Sequence, residues 1–103
     1  MSTETETYSE DQQLPTDKTF QHAGKIAILE DKPILLDYWT DSFTDKALIG
    51  VKQTEDQEKI LIKNEEEYTS PIAKIFKTGN EYLVITENSI YIVSNKIPMK
   101  KIS

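Results

Sequence analysis

Apolar residues in the last part of the chain fall into two short runs, EYLVIT (81–86) and SIYIVS (89–94), with only Glu87-Asn88 between them. Runs this short that are rich in β-branched and aromatic residues are typical of strands. Five similar runs precede them, KIAILE (25–30), PILLDYW (33–39), ALIGV (47–51), EKILIK (58–63) and PIAKIFK (71–77). The pattern predicts an all-β fold, a small antiparallel barrel or sandwich of about six to seven strands, with an SH3-like barrel as the nearest known type.

Two segments also fit a helix. In LLDYWTDSFTDKALIG (35–50), Asp37, Asp41 and Asp45 lie four residues apart and would stack on one helix face, where their like charges repel. We therefore favour strand, loop and strand in this segment. The segment NEEEY (64–68) fits a single helical turn capped by Asn64.

The first 22 residues differ in composition from the rest. They contain five acidic residues against one lysine and few large apolar groups, so they bury too little surface to offset the entropy of ordering. We predict a disordered acidic tail over residues 1–22 and a single β-rich domain over residues 23–103.

The last three strands allow a prediction of register. Glycine in first place favours a two-residue type II′ turn at Gly79-Asn80, and Glu87-Asn88 is interpreted as a second two-residue turn. Side chains alternate between the two faces of a strand. One face is then aliphatic and collects Ile72, Phe76, Leu83, Ile85, Ile90 and Ile92. The other collects Ile75, Tyr82, Val84, Tyr91 and Val93.

This second face, the tyrosine-valine face, needs a cover as much as the first does. Burial of each of these side chains stabilises by roughly 1.5 to 3 kcal/mol, so an exposed face is disfavoured. Two covers remain open, a second sheet of the same chain and another molecule. Tyrosine favours an interface, because its ring packs while its hydroxyl stays hydrated, and the simplest partner is a second copy.

Charge and composition exclude several classes of protein. The net charge is −6 and all twelve basic residues are lysines, which argues against nucleic-acid binding, where arginine predominates. Cysteine is absent, so disulfides and thiolate metal sites are excluded. The apolar runs are too short to span a membrane and no signal peptide is recognisable, which predicts a soluble cytoplasmic protein.

Catalytic signatures are sparse. The single histidine, His22, has no cysteine or second histidine to join it. The acidic residues 65–67 and Asp37, Asp41 and Asp45 lack the ligand spacing of an EF-hand loop, and we interpret them as a solvated acidic surface. We predict a protein that is not an enzyme and that holds no metal or cofactor.

The segment DYWTDSF (37–43) is the most distinctive candidate for a ligand site. Tyr38, Trp39 and Phe43 lie beside Asp37 and Asp41, a composition that suits an aromatic cage for a methylated lysine. The plainer alternative is that Trp39 fills one end of the core.

The strings KPILLDYW, EKILIKNEEEYTSPIAKIFK and EYLVITENSIYIVS resemble segments of uncharacterised small proteins encoded by mimivirus-like giant DNA viruses of protists. The resemblance spans residues 25–97 and carries no motif of known chemistry. It implies a viral origin, with host-cell cytoplasm or virion as the setting, and no activity.

Together these observations predict a non-enzymatic β-domain that self-associates or binds an unidentified protein through the tyrosine-valine face. The alternative is a small-molecule or nucleotide-binding module with a pocket between protomers near Trp39. An enzyme that uses paired carboxylates or a divalent ion is the third hypothesis.

Overall fold

The computed structural model of the chain describes residues 14–102. Strands predominate, and the chain adds two helices that the sequence pattern did not predict. The elements are α1 (Asp17–Glu30), β1 (Ile34–Leu35), α2 (Trp39–Phe43), β2 (Leu48–Lys52), β3 (Lys59–Asn64), β4 (Glu67–Tyr68), β5 (Ile72–Thr78), β6 (Glu81–Thr86), β7 (Ile90–Ser94) and β8 (Met99–Ile102). No helix within residues 14–102 is long and apolar enough to cross a bilayer.

The strands form two separate four-stranded sheets. Sheet A has the order β1-β7-β6-β5 and sheet B the order β4-β3-β2-β8. Both sheets are mixed, because β1 runs parallel to β7 and β2 runs parallel to β8. The prediction was an antiparallel barrel or sandwich; the chain is not a closed barrel and its sheets are not purely antiparallel, whereas the prediction of a largely β fold is confirmed. The likeness to SH3 domains stays a prediction.

Sheet A is covered on both faces within the chain. Leu83, Ile85, Ile90 and Ile92 point to one side, where they pack with Ala23 of α1 and Trp39 of α2. On the other side Val84 and Val93 pack with Ile49 and Leu61 of sheet B. The architecture is thus three layers, with α1 on one side of sheet A and sheet B on the other.

This arrangement corrects the predicted interface. Val84 and Val93 have 0% exposure, and the half-buried Ile75, Tyr82 and Tyr91 pack against the same cluster. Sheet B is the cover that the tyrosine-valine face required, so the two valines are not available to a partner of the folded chain. Self-association itself stays a prediction.

The predicted register of the β5-β6-β7 meander is confirmed. Phe76 pairs with Leu83, Val84 with Tyr91, and Ile85 with Ile90. Gly79 has φ +62° and Asn80 does not have a positive φ, as a type II′ turn requires.

The turn between β6 and β7 differs from a type I′ turn, because neither Glu87 nor Asn88 has a positive φ. The buried Thr86 side chain stabilises it instead. Its Oγ1 accepts hydrogen bonds from the backbone N–H groups of Asn88 and Ser89, at 3.3 and 3.1 Å. The Thr86 side chain therefore adds to the backbone hydrogen bond of 2.9 Å from the Thr86 N–H to the Ser89 carbonyl, which closes the turn.

A β-bulge changes the face of one predicted core residue. Ile72 pairs with Thr86 and Lys74 with Ile85, so two residues of β5 oppose one residue of β6. The extra residue, Ala73, moves Ile72 to the side of sheet B, where it packs with the tyrosine-valine face. The prediction that Ile72 belongs to the aliphatic face is wrong for this reason.

Helix α1 overturns the strand predicted over residues 25–30 and the boundary predicted at residue 23. Thr16 caps the helix, with its Oγ1 accepting from the Thr19 N–H, and Asp31 closes it in the left-handed region. The side chains that face sheet A recur every three or four residues, as an amphipathic helix requires: Thr19, Phe20, Ala23, Ile26 and Ala27. Residues 17–22 thus belong to the folded domain. The rest of the predicted tail, residues 1–13, lies outside the described residues.

Short elements account for the remaining differences. Residues 39–43 form α2 where we favoured strand or loop, and the polar β8 was not predicted. Asn64 does cap a turn, its Oδ1 accepting from the N–H groups of Glu66 and Glu67, but β4 follows rather than a helix.

Three matched leucine substitutions test the layer arrangement. We expect Leu61→Ala and Leu83→Ala each to lower the free energy of unfolding by about 2 to 5 kcal/mol, because each leaves a cavity in a different interlayer core. The exposed Leu29 is the control, and Leu29→Ala should change stability by less than about 0.5 kcal/mol. Urea denaturation measures all three. A Leu61→Ala effect as small as that of Leu29→Ala would contradict the packing of sheet B on sheet A.

Candidate functional site

One cleft brings together aromatic, acidic, basic and amide side chains at one end of sheet A. Its position follows from the pairing of Glu81, the first residue of β6, with Ser94, the last residue of β7. A hydrogen bond of 2.9 Å from the Asn95 N–H to the Asn80 carbonyl closes the same end. The cleft has a volume of about 490 Å³ and is lined by Leu14, Thr16, Trp39, Phe43, Asn80, Glu81, Ser94, Asn95 and Lys96. We call it the Trp39 cleft.

Helix α2 supplies the aromatic wall of the Trp39 cleft. Trp39 and Phe43 are four residues apart, so their rings meet on one helix face, edge to face, with centroids 4.7 Å apart at 88°. The helix is held to β7 by the buried Ser42, whose hydroxyl donates to the Trp39 carbonyl and accepts from the Ser94 N–H at 2.9 Å. The wall is therefore fixed to the end of sheet A.

A lysine stands beside this wall. The Lys96 Nζ lies 6.0 Å from the centroid of the Phe43 ring, within range of a cation–π interaction. Lys96 is exposed and follows the end of β7. Its ammonium group thus reaches the aromatic ring from the solvent side.

A buried carboxylate also lines the Trp39 cleft. Glu81 is 5% exposed, and its Oε1 accepts hydrogen bonds from the hydroxyls of Thr16, at 3.1 Å, and Thr19. Because Thr16 caps α1, the carboxylate also lies near the positive end of the helix dipole. Glu81 therefore joins the start of α1 to the β5-β6 hairpin while it lines the cleft.

Tyr38 does not belong to the Trp39 cleft, although it precedes Trp39 in the chain. Its ring packs edge to face on Tyr91, with centroids 5.5 Å apart, in the core between the two sheets. The Lys63 Nζ lies 4.8 Å from the centre of the Tyr38 ring and 3.6 Å from Asp41 Oδ2. Burial, and then the nearby Tyr91 and acidic residues, raise the pKa of Tyr38 to about 12.

The predicted aromatic cage is therefore divided between two sides of sheet A. Trp39 and Phe43 line one cleft together, whereas Tyr38 lies in the other core. Asp41 and Asp45 line a second groove of about 510 Å³, together with Lys46, Lys63 and Glu67. Side chains of both charges line this groove, and none of its lining residues in the described part of the chain is aromatic.

The acidic clusters do not converge on a metal site. Within the described range, no three histidine, cysteine, aspartate or glutamate side chains are placed to hold an ion together. His22 is exposed on α1.

Seven of the nine residues that line the Trp39 cleft were not among the predicted site residues: Leu14, Thr16, Asn80, Glu81, Ser94, Asn95 and Lys96. A signal for two of them was present, because the predicted register places Glu81 opposite Ser94 at the end of the sheet. Only the position of α2 at that end reveals that Trp39 belongs beside them.

No protein-family model, curated protein or solved structure matches the chain. The resemblance to small viral proteins stays a prediction.

The raised pKa of Tyr38 predicts how stability changes at alkaline pH. The phenol ionises near pH 10 in the unfolded chain and near pH 12 in the folded chain, so the unfolded state releases its proton first. The contribution of Tyr38 to the free energy of unfolding is fully present below pH 10 and is lost as the pH rises toward 12. The slope of this loss is at most about 1.4 kcal/mol per pH unit. Tyr38→Phe should flatten the loss in urea denaturation measured from pH 9 to pH 12. Equal slopes for the natural chain and Tyr38→Phe would contradict a raised pKa of Tyr38. Tyr68→Phe, at an exposed tyrosine, is the matched control.

Proposed function

We propose that the protein is a non-enzymatic binding module whose ligand occupies the Trp39 cleft. One observation carries the proposal: an aromatic pair and side chains of both charges converge there from four separate parts of the chain. Ligand sites are typically concave, with an aromatic wall and a few well-placed polar groups. The alternative of a small-molecule-binding module is thereby favoured over binding through the tyrosine-valine face.

The dimensions of the cleft suit a small ligand. A volume of about 490 Å³ lies within the range typical of small-molecule sites, roughly 300 to 1,000 Å³. Residues from four segments of the chain line the cleft, and we propose a site within one protomer in place of a pocket between two. The side chains are also held firmly, since Trp39 and Glu81 are 6% and 5% exposed.

Binding rather than catalysis is favoured by the kind of groups that the cleft contains. Its lining within residues 14–102 has one carboxylate, one ammonium group, amides and hydroxyls, but no histidine or cysteine to act as base or nucleophile. These groups recognise charge and donate or accept hydrogen bonds, which is what a binding site requires.

The Trp39 cleft can be tested directly, because Trp39 is the only tryptophan in the chain. We expect ligands found in a fragment screen of cationic, neutral and anionic compounds to shift its indole N–H signal in NMR spectra and to saturate. Phe43→Leu should weaken binding at least about fivefold, since it removes the aromatic partner of the wall. Lys100→Ala, on the exposed part of β8, is the control and should have no effect. Fragments that bind only elsewhere, or no binding at all, would contradict the proposal.

A second candidate is weak self-association through the end of α1, in keeping with the predicted homo-oligomer. Ile28 and Leu29 are 84% and 83% exposed, the highest values among the large apolar residues of the described chain. Two such side chains bury far less than the roughly 800 Å² per partner of a stable interface, so association would be weak and dependent on concentration.

Sedimentation equilibrium tests this second candidate. The apparent mass of the natural chain should rise with concentration, and the double variant Ile28→Lys, Leu29→Lys should remain monomeric. Added lysines bring the net charge closer to zero, so charge repulsion does not explain a loss of association. Gln21→Lys, His22→Lys on the same helix is the matched control. A natural chain that is monomeric throughout would exclude this candidate.

A further inference from the structure

The buried carboxylate of the Trp39 cleft has no cationic partner in the described part of the chain. The ion pairs among residues 14–102 are Glu30 with Lys32, Glu58 with Lys52 and Asp41 with Lys63, and none includes Glu81. Burial of an ionised carboxylate is costly unless hydrogen bonds or an opposite charge offset it. Glu81 therefore stands out as a charge without a counter-charge.

The hydrogen bonds of Glu81 leave one of its carboxylate oxygens partly exposed. The hydroxyls of Thr16 and Thr19 both reach Oε1, and no side-chain or turn donor in the described range reaches Oε2. Because no fully buried polar side-chain atom in that range is without a partner, Oε2 is partly exposed, and Glu81 lines the cleft. An ionised carboxylate oxygen accepts hydrogen bonds only, so it suits a positively charged donor or a cationic group.

Lys96 shows that the aromatic wall is open to an ammonium group. Its Nζ stands 6.0 Å from the centre of the Phe43 ring, which is the position in which a ring attracts a cation. The lysine is exposed and forms no ion pair in the described chain, so it can move aside without breaking one. An ammonium group from a ligand would meet the same ring and, in addition, the carboxylate of Glu81.

We propose that the ligand of the cleft is a small organic ammonium compound, a proposal that rests on the proposed function of the cleft. The positive group lies between the Trp39-Phe43 wall and Glu81 Oε2, and it displaces the ammonium group of Lys96 from the ring. A quaternary methylated ammonium fits best, because it is weakly hydrated and its methyl groups pack on aromatic faces. The net charge of −6 adds a general attraction for cations.

The opposite ligand class, an anion held by Lys96 and the amides of Asn80 and Asn95, predicts the opposite response to substitution. An anion would lose affinity when Lys96 is removed. A cation would gain affinity, because a like charge and a competitor for the ring disappear together. The sign of the Lys96→Ala effect therefore separates the two classes, and because Lys96 is exposed the substitution leaves the core intact.

Titration with choline, followed by Trp39 fluorescence and the indole N–H signal, tests the proposal. The comparison compounds are the neutral isostere of choline, in which tert-butyl replaces trimethylammonium, acetate as the anion, and the N-acetyl amide of trimethyllysine, which carries the ammonium on a peptide unit. We expect choline to saturate the site and the neutral isostere to bind at least about tenfold more weakly. Binding of the lysine derivative but not of choline would contradict a small free ligand and identify a protein side chain as the source.

The variants give each result its meaning. Glu81→Gln should weaken choline binding at least about tenfold and leave the isostere unchanged, whereas Lys96→Ala should strengthen choline binding severalfold. Lys100→Ala is the neutral control, and thermal melts establish that Glu81→Gln is folded; if it is not, the sign of the Lys96→Ala effect decides.

The possible failures are distinguishable. Equal binding of choline and its isostere, or weaker choline binding by Lys96→Ala, would overturn the ammonium proposal. Binding of acetate or the isostere alone would overturn it too, but would leave the cleft a ligand site. If none of the four compounds perturbs Trp39, the ammonium proposal fails, and the fragment screen then decides whether the binding function fails with it.

Discussion

The central constraint on this fold is that the β6-β7 hairpin is apolar on both faces. Leu83 and Ile92 point to one side, and Val84 and Val93 to the other, and all four are buried. A sheet with one wet face cannot accommodate such strands, so each side needs its own cover. Helix α1 supplies one and sheet B the other, which makes the middle layer the place where both cores meet.

The same hairpin explains where the candidate site lies. Its open end brings the start of β6 and the end of β7 together, and α2 is fastened there through Ser42. Tyr38 and Trp39 are neighbours in the chain, yet they enter the two different cores. Glu81 makes two kinds of contact at this end: it accepts hydrogen bonds from the hydroxyls at the start of α1, and it lines the Trp39 cleft. The proposed ligand site thus shares residues with the contacts that stabilise this end of the fold.

The sequence predicted the local pairings better than the long-range ones. The meander register followed from Gly79 and from side-chain alternation, both of which are properties of neighbouring residues. The bulge at Ala73 carries no such mark, and it moved Ile72 to the other face. Helix α1 was missed because its apolar positions begin at Phe20, inside a segment whose acidic composition predicted disorder. The parallel pairing of β8 with β2 joins residues about fifty positions apart, which no local pattern indicates.

The candidate site was predicted only in part, because it too depends on contacts between distant parts of the chain. Trp39 and Phe43 stood out by residue type, but their partners Glu81 and Lys96 are ordinary residues in the sequence and become significant only through their position. The most direct test of the three-layer fold is a methyl NOE measurement on the natural chain between the valines of β6 and β7 and the Ile49 and Leu61 side chains of sheet B. The three-layer fold predicts NOEs within one molecule and none between labelled and unlabelled copies in a mixed sample. NOEs that appear only between copies would show that another molecule covers the tyrosine-valine face, and the three-layer fold would be wrong.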